Sequence, residues 1–137
     1  MEGVEVDPTR ETAGGAICRL ERELIVRDFL ATFNAAPRDA EGTASIAAFL
    51  HPNVVYRPSL CHGAVGRNAV ARVCEQVRGA FETFVIEVES LLVGDGVILV
   101  EHAMRVGLIG VPVQNLMGFS SFQISGELIS EWHQVHV

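Results

Sequence analysis

The chain has 137 residues, 49% of them hydrophobic and 20% charged, with 10 basic against 17 acidic side chains and a formal net charge of −7. That fits one globular domain, large enough to bury about two-thirds of its unfolded surface around a core or a lined pocket. All ten basic residues are arginine without an Arg-rich block, so the chain lacks the electrostatic footprint of a nucleic-acid binder and any hold on an anionic membrane.

Residues 1–14 read as a loose leader, punctuated by Asp7-Pro8 and Gly14-Gly15, ahead of a single domain over 15–137. The first dozen residues are acidic and polar, the reverse of a signal peptide, and no apolar run approaches the ~20 residues needed to cross a bilayer. Cys18, Cys61 and Cys74 are odd in number and widely spaced. They match neither a disulfide framework nor a zinc pattern, so reduced thiols in a cytoplasmic protein, with no bound metal, are expected.

Apolar residues at helical spacing (Val26, Phe29, Leu30, Phe33) predict a first helix over residues 17–34, ended by Ala35-Ala36-Pro37. A short second helix is expected over 43–50, a brief strand over 54–56 and a loop over 58–66. The third helix shows the clearest stripe, Val70, Val73, Cys74, Val77, Phe81 and Phe84, with Asn68 as its cap. After residue 84 the period changes to two. Strands are predicted over 85–92, 97–106, 113–124 and 128–137, with Gly94-Asp95-Gly96 and Ser125-Gly126-Glu127 as turns. Helices followed by an antiparallel meander make an α+β fold.

Four segments carry a resemblance. They are Phe29-Leu30-Ala31-Thr32-Phe33-Asn34; Phe49-Leu50-His51-Pro52-Asn53-Val54-Val55-Tyr56; Gly66-Arg67-Asn68-Ala69-Val70; and the ending from Phe122 to Trp132. In their order and spacing the chain resembles the limonene epoxide hydrolase and SnoaL-type polyketide cyclase group of the nuclear-transport-factor-like, or ketosteroid-isomerase-like, superfamily. The resemblance implies a cone-shaped curved antiparallel sheet with three N-terminal helices enclosing a hydrophobic pocket, and a homodimer formed through the sheet's outer face. Val85, Glu87, Glu101, Ala103 and Ser121 lie in the phase for that outer face.

The resemblance does not fix a reaction, because one fold hosts many. Of the epoxide hydrolase's five polar positions, Tyr56 matches, whereas Pro58, His102, Met104 and Gln134 stand where asparagine, arginine and two aspartates are expected. The acid–base carboxyl pair of that chemistry is missing. The isomerase's general base would fall near Tyr56-Arg57-Pro58, where the chain offers arginine.

The strand phase implied by the resemblance turns His102, Met104, Leu116, Ser120, Trp132, Gln134 and His136 inward, with Phe33 and Phe81 as apolar lining. His102, Gln134 and Tyr56 are the candidate catalytic groups, for proton transfer, for orienting a carbonyl and for donating to an oxyanion. Each has a structural alternative, as a core hydrogen bond or as packing. Trp132, Met104, Leu116, Ser120, Phe33, Phe81 and His136 are candidate substrate contacts. Asp28 is a further possible acid, and Cys61-His62 sits in a loop at the mouth. The resulting expectation is a cofactor-free cyclase or isomerase acting on a hydrophobic, polyketide- or terpenoid-like molecule. The alternatives are an epoxide-hydrolase-like protein with an altered site and a ligand binder without catalysis.

Overall fold

The structure is a computed structural model and describes residues 8–59 and 62–136. In chain order it contains α1 (Pro8–Ala35), α2 (Ala40–Ala47), β1 (Leu50–Pro58), β2 (Ala64–Val65), α3 (Arg67–Ala80), β3 (Thr83–Val93), β4 (Ile98–Gly107), β5 (Gln114–Ser125) and β6 (Leu128–His136). The six strands form one curved, unclosed sheet in the order β2-β1-β6-β5-β4-β3. The α+β class stands, with one correction: the sheet is mixed, because β1 runs parallel to β6. A parallel pair needs a long crossover, and α3 with strands β3 to β5 supplies it.

Helix α1 begins at Pro8, inside the expected leader. Proline is tolerated in a first helical turn, where its missing N–H would have no partner. Residues 1–7 of that leader lie outside the described residues. The α1 stripe of Val26, Phe29, Leu30 and Phe33 is buried, as its spacing predicts. Two polar anchors then fix the end of the helix. Asn34 pairs with the backbone of Ile86 in both directions, at 2.7 and 2.8 Å, as a strand neighbour would. Arg78 of α3, itself buried, donates to the carbonyl oxygens of Ala36 and Pro37 just past α1 and lies 5.8 Å from the Phe33 ring centroid.

Helix α2 starts three residues before its expected position because Asp39 caps it, accepting the Gly42 N–H at 3.0 Å. Helix α3 starts at Arg67 without a side-chain cap, so Asn68 is already helical. The turn into it is made by Gly66 at φ 99°, a left-handed backbone that glycine adopts without strain. Phe81 and Phe84 continue the helical spacing in sequence, yet the chain is already extended at Phe81 (φ −120°, ψ 145°) and Phe84 belongs to β3.

Strand β1 is longer than expected, and Ala64–Val65 of the expected loop pairs with it. A bulge between Val88 and Ser90 resets the phase of β3, so Leu91 packs on the core while Leu92 is 70% exposed. The inner face of the sheet, α1 and α2 share a core built on Trp132, Phe29, Phe122, Ile46, Leu50 and Ile129. The outer face carries a different surface, with Leu92 beside Leu99 and Phe119 beside Val135, all exposed. No helix among the described residues is long and apolar enough to cross a membrane.

Candidate active site

Strand alternation and register assemble one face of the sheet. β1 pairs Tyr56 with Trp132 and Pro58 with Gln134; β5 pairs Leu116 with Met104 and Gln114 with Val106. Above this face, Val77 of α3 and the turn through Phe81 into Phe84 close a cavity of about 360 Å³. That lies within the usual span for small-molecule sites, about 300–1,000 Å³. Its polar groups stand at its two ends. Tyr56, Gln134 and His136 stand at the β1–β6 end; Val77, Phe81, Phe84 and Val106 form the opposite end, where the exposed Gln114 is the one polar side chain; Met104 and Leu116 lie on the strands between. No aspartate or glutamate is among the described lining residues.

Hydrogen bonding decides what the polar end presents. Tyr56 Oη donates to Gln134 Oε1 at 2.8 Å, which turns the amide so that its NH₂ group has no hydrogen bond to the described residues. His136 Nε2 lies 2.7 Å from Met104 Sδ. A thioether only accepts, so this nitrogen carries the proton. Nδ1 is then an acceptor and takes the O–H of Ser59 at 3.1 Å, while Ser59 Oγ accepts the His136 backbone N–H at 3.0 Å. The three contacts agree on one tautomer. Burial lowers the His136 pKa below its ordinary 6.5, so the ring is neutral at pH 7. Gln134 therefore presents a free amide N–H, while the neutral His136 ring, two positions further along the same strand face, has its N–H directed at Met104 Sδ.

Of the residues expected at the site, Tyr56, Gln134, His136, Met104, Leu116 and Phe81 line this cavity. His102, Trp132, Ser120 and Phe33 do not, and all four are buried in the core. The inward phase of His102 is as expected, but its placement at the reacting surface is corrected. The register sets it opposite Gly118, where a Cβ would come within 2.7 Å of His102 Cε1; the ring occupies the space that glycine leaves free. His102 Nε2 is 2.8 Å from Ser120 Oγ, which also accepts the Trp132 indole N–H at 3.2 Å. Its Nδ1 is buried without a partner. Phe33 meets Phe84 and Trp132 edge-on and supports the cavity wall from behind.

Asp28 is exposed, so it supplies no acid to the cavity. Cys61 lies outside the described residues and His62 is exposed. His133 points away from His136 and contacts Glu131 at 3.1 Å. No group of three or more His, Cys, Asp or Glu side chains among the described residues is placed to hold a metal. Sequence reasoning missed Pro58 and Val77 as lining and Ser59 as the partner of His136. Pro58 follows Tyr56 by two on the same strand, and Val77 lies on the α3 stripe, so both signals were present. Nothing in the sequence pairs Ser59 with a residue 77 positions away.

The model of the SnoaL-like domain family matches residues 26–132. Among curated proteins none matches the sequence. Solved structures share the fold at low identity. An LEH-like epoxide hydrolase from M. tuberculosis superposes with a TM-score of 0.71 at 16% identity, over 86% of this chain and 84% of its own. TerC, co-crystallised with polyporic acid, gives 0.71 at 14%, over 85% and 92%. A protein from Catenulispora acidiphila with a ketosteroid isomerase-like fold, in complex with trimethylamine, gives 0.70 at 12%, over 81% and 83%.

Proposed function

The chain belongs to the SnoaL-like domain family, and from that premise we propose a cofactor-free cytoplasmic enzyme that polarises a carbonyl group of a neutral, hydrophobic small molecule. The reaction class is a cyclisation or isomerisation of a polyketide- or terpenoid-like intermediate. The observation that carries this reading is the free amide N–H of Gln134, held by Tyr56 beside the neutral His136 ring at one end of a mostly apolar cavity. Donors fixed in place before reaction hold negative charge developing on a substrate oxygen, and apolar walls hold a flexible substrate near its reactive conformation. Epoxide opening by paired carboxyl groups has no support here, since Pro58, His102, Met104 and Gln134 supply none.

The test compares 2-octanone with octane as probes, read through the single tryptophan, Trp132, which stacks on the cavity residue Tyr56 at 4.3 Å. Gln134→Leu is made in a Tyr56→Phe background, because the phenol released by the first change would otherwise replace the amide as donor. The double variant binds 2-octanone roughly tenfold more weakly, the size of one hydrogen bond, and octane equally well; Tyr56→Phe alone retains the ketone preference. Equal loss for both probes assigns Gln134 to packing and overturns the reading. Exchange of the ketone's α-protons in D₂O, followed by NMR, separates catalysis from binding. Wild type exceeds the buffer rate, and exchange at the buffer rate with intact ketone binding leaves a ligand-binding protein.

A second copy of the chain is proposed to cover the outer sheet face. Leu92, Leu99, Met117, Phe119 and Val135 are exposed there in one phase, and an apolar surface of this kind is ordinarily an interface. Sedimentation at micromolar concentration gives a dimer, and Phe119→Glu gives a folded monomer. A monomeric wild type rules the interface out.

A further inference from the structure

We propose that the cavity continues into a second, smaller chamber under the turn after β4, which takes the apolar tail of an elongated ligand whose carbonyl head lies at Gln134. The assignment of the head rests on the reading above; the chamber and its apolar walls are separate observations.

The smaller chamber has a volume of about 100 Å³. It shares Phe81, Val106 and Gln114 with the main cavity and adds Leu108, Val111 and Pro112. Gln114, exposed at the junction, is the one polar side chain among its described lining residues. Sheet register fixes the direction. By register Gln134 on β6 lies across from Ser120 on β5 and Val100 on β4, so the lining residues Leu116 and Met104 are four residues, and Val106 six, further along those strands toward the turn after β4; Val106 is one pair from the end of the β3–β4 ladder at Thr83 and Gly107. Two strand spacings of about 5 Å and a rise of about 3.3 Å per residue along the strand separate Gln134 from Val106, so a short ketone held at Gln134 ends inside the main cavity. A longer one runs off the end of β4 into the chamber.

The turn itself supports this use. Loops are ordinarily polar because they face water, yet Leu108, Ile109, Val111 and Val113 are all exposed, Ile109 at 85%. Leu108 and Val111 are the two that wall the chamber. An alkyl tail lying against them would remove apolar surface from water on both sides.

The test uses the 2-alkanones from 2-hexanone to 2-tetradecanone, with affinity read by isothermal titration calorimetry on the full chain. For wild type, affinity rises about fourfold per added methylene, the value of a buried CH₂, and keeps rising in the long members. Val111→Trp fills the chamber: 2-hexanone binds as to wild type, and the gain per methylene stops several carbons earlier. Val111→Ser adds no bulk and flattens the same long-chain increments. Identical chain-length curves for wild type and both variants overturn the chamber proposal while leaving the head reading intact. The opposite failure is also distinct. If the Tyr56→Phe, Gln134→Leu protein binds every ketone as wild type does while the Val111→Trp break persists, the carbonyl assignment falls and the chamber stands. No binding of any ketone to wild type overturns both.

Discussion

Trp132→Ala lowers the stability of the fold by about 3–5 kcal/mol, the span for deleting a large aromatic from a packed interior. The indole is 1% exposed and joins three parts of the structure. It stacks on Tyr56 (4.3 Å, 26° between planes) and on Phe122 (5.5 Å, 15°), and it receives the edges of Phe29 (5.2 Å) and Phe33 (6.2 Å) from α1. Its N–H donates to Ser120, which also bonds His102. Alanine therefore removes the helix–sheet contact, the support behind Tyr56 and one hydrogen bond of a buried pair together. Set against a typical total of about 5–15 kcal/mol, this puts the variant close to unfolding at room temperature. Urea denaturation followed by circular dichroism measures the loss, since the variant has no tryptophan to report it. Trp132→Phe, which keeps a stacked ring, loses clearly less. A loss below about 1 kcal/mol for alanine would mean that the surrounding rings close the space, and would remove Trp132 from the support of the site.

The same residue shows how far the sequence is legible. Period-two alternation in the last strand turns Trp132, Gln134 and His136 to one side, and all three do lie on the inner face. Alternation gives the side and not the depth. His102 and Met104 share a strand and a phase, yet Met104 lines the cavity and His102 is sealed behind it, because only His102 faces a glycine across the ladder. Depth thus depends on a partner 16 residues away, Gly118, whose significance appears only once the register is known. Helix ends fail for a local reason. Phe81 and Phe84 keep the helical spacing set by Val77 after the backbone has become extended, because all three pack toward the same interior whichever backbone carries them. The parallel pairing of β1 with β6 follows from chain path, which a residue pattern does not encode.

His102 makes the fold less stable by about 3 kcal/mol as pH drops from about 7 to 4. Burial first, and the neighbouring His136 second, lower its pKa from 6.5 to about 4. Above 6.5 the imidazole is neutral in both folded and unfolded chains and adds nothing to the pH dependence. Between 6.5 and about 4 the unfolded chain takes up a proton that the folded chain refuses, so unfolding is favoured by about 1.4 kcal/mol per pH unit across that gap. Below about 4 both forms bind the proton and this contribution levels off. His136, lowered by burial, adds in the same direction. Burial disfavours the charged ring, and since Nδ1 is buried without a partner, the doubly protonated ring would hold an N–H there with nothing to donate to. Chemical denaturation at pH 7, 5.5 and 4 measures the slope in wild type and in His102→Gln, which keeps a polar side chain toward Ser120 and does not titrate. Much of the acid limb disappears in the variant. A wild-type slope unchanged by His102→Gln assigns the acid sensitivity to other groups and means that the ring takes up its second proton at little cost, which requires this part of the core to open to water.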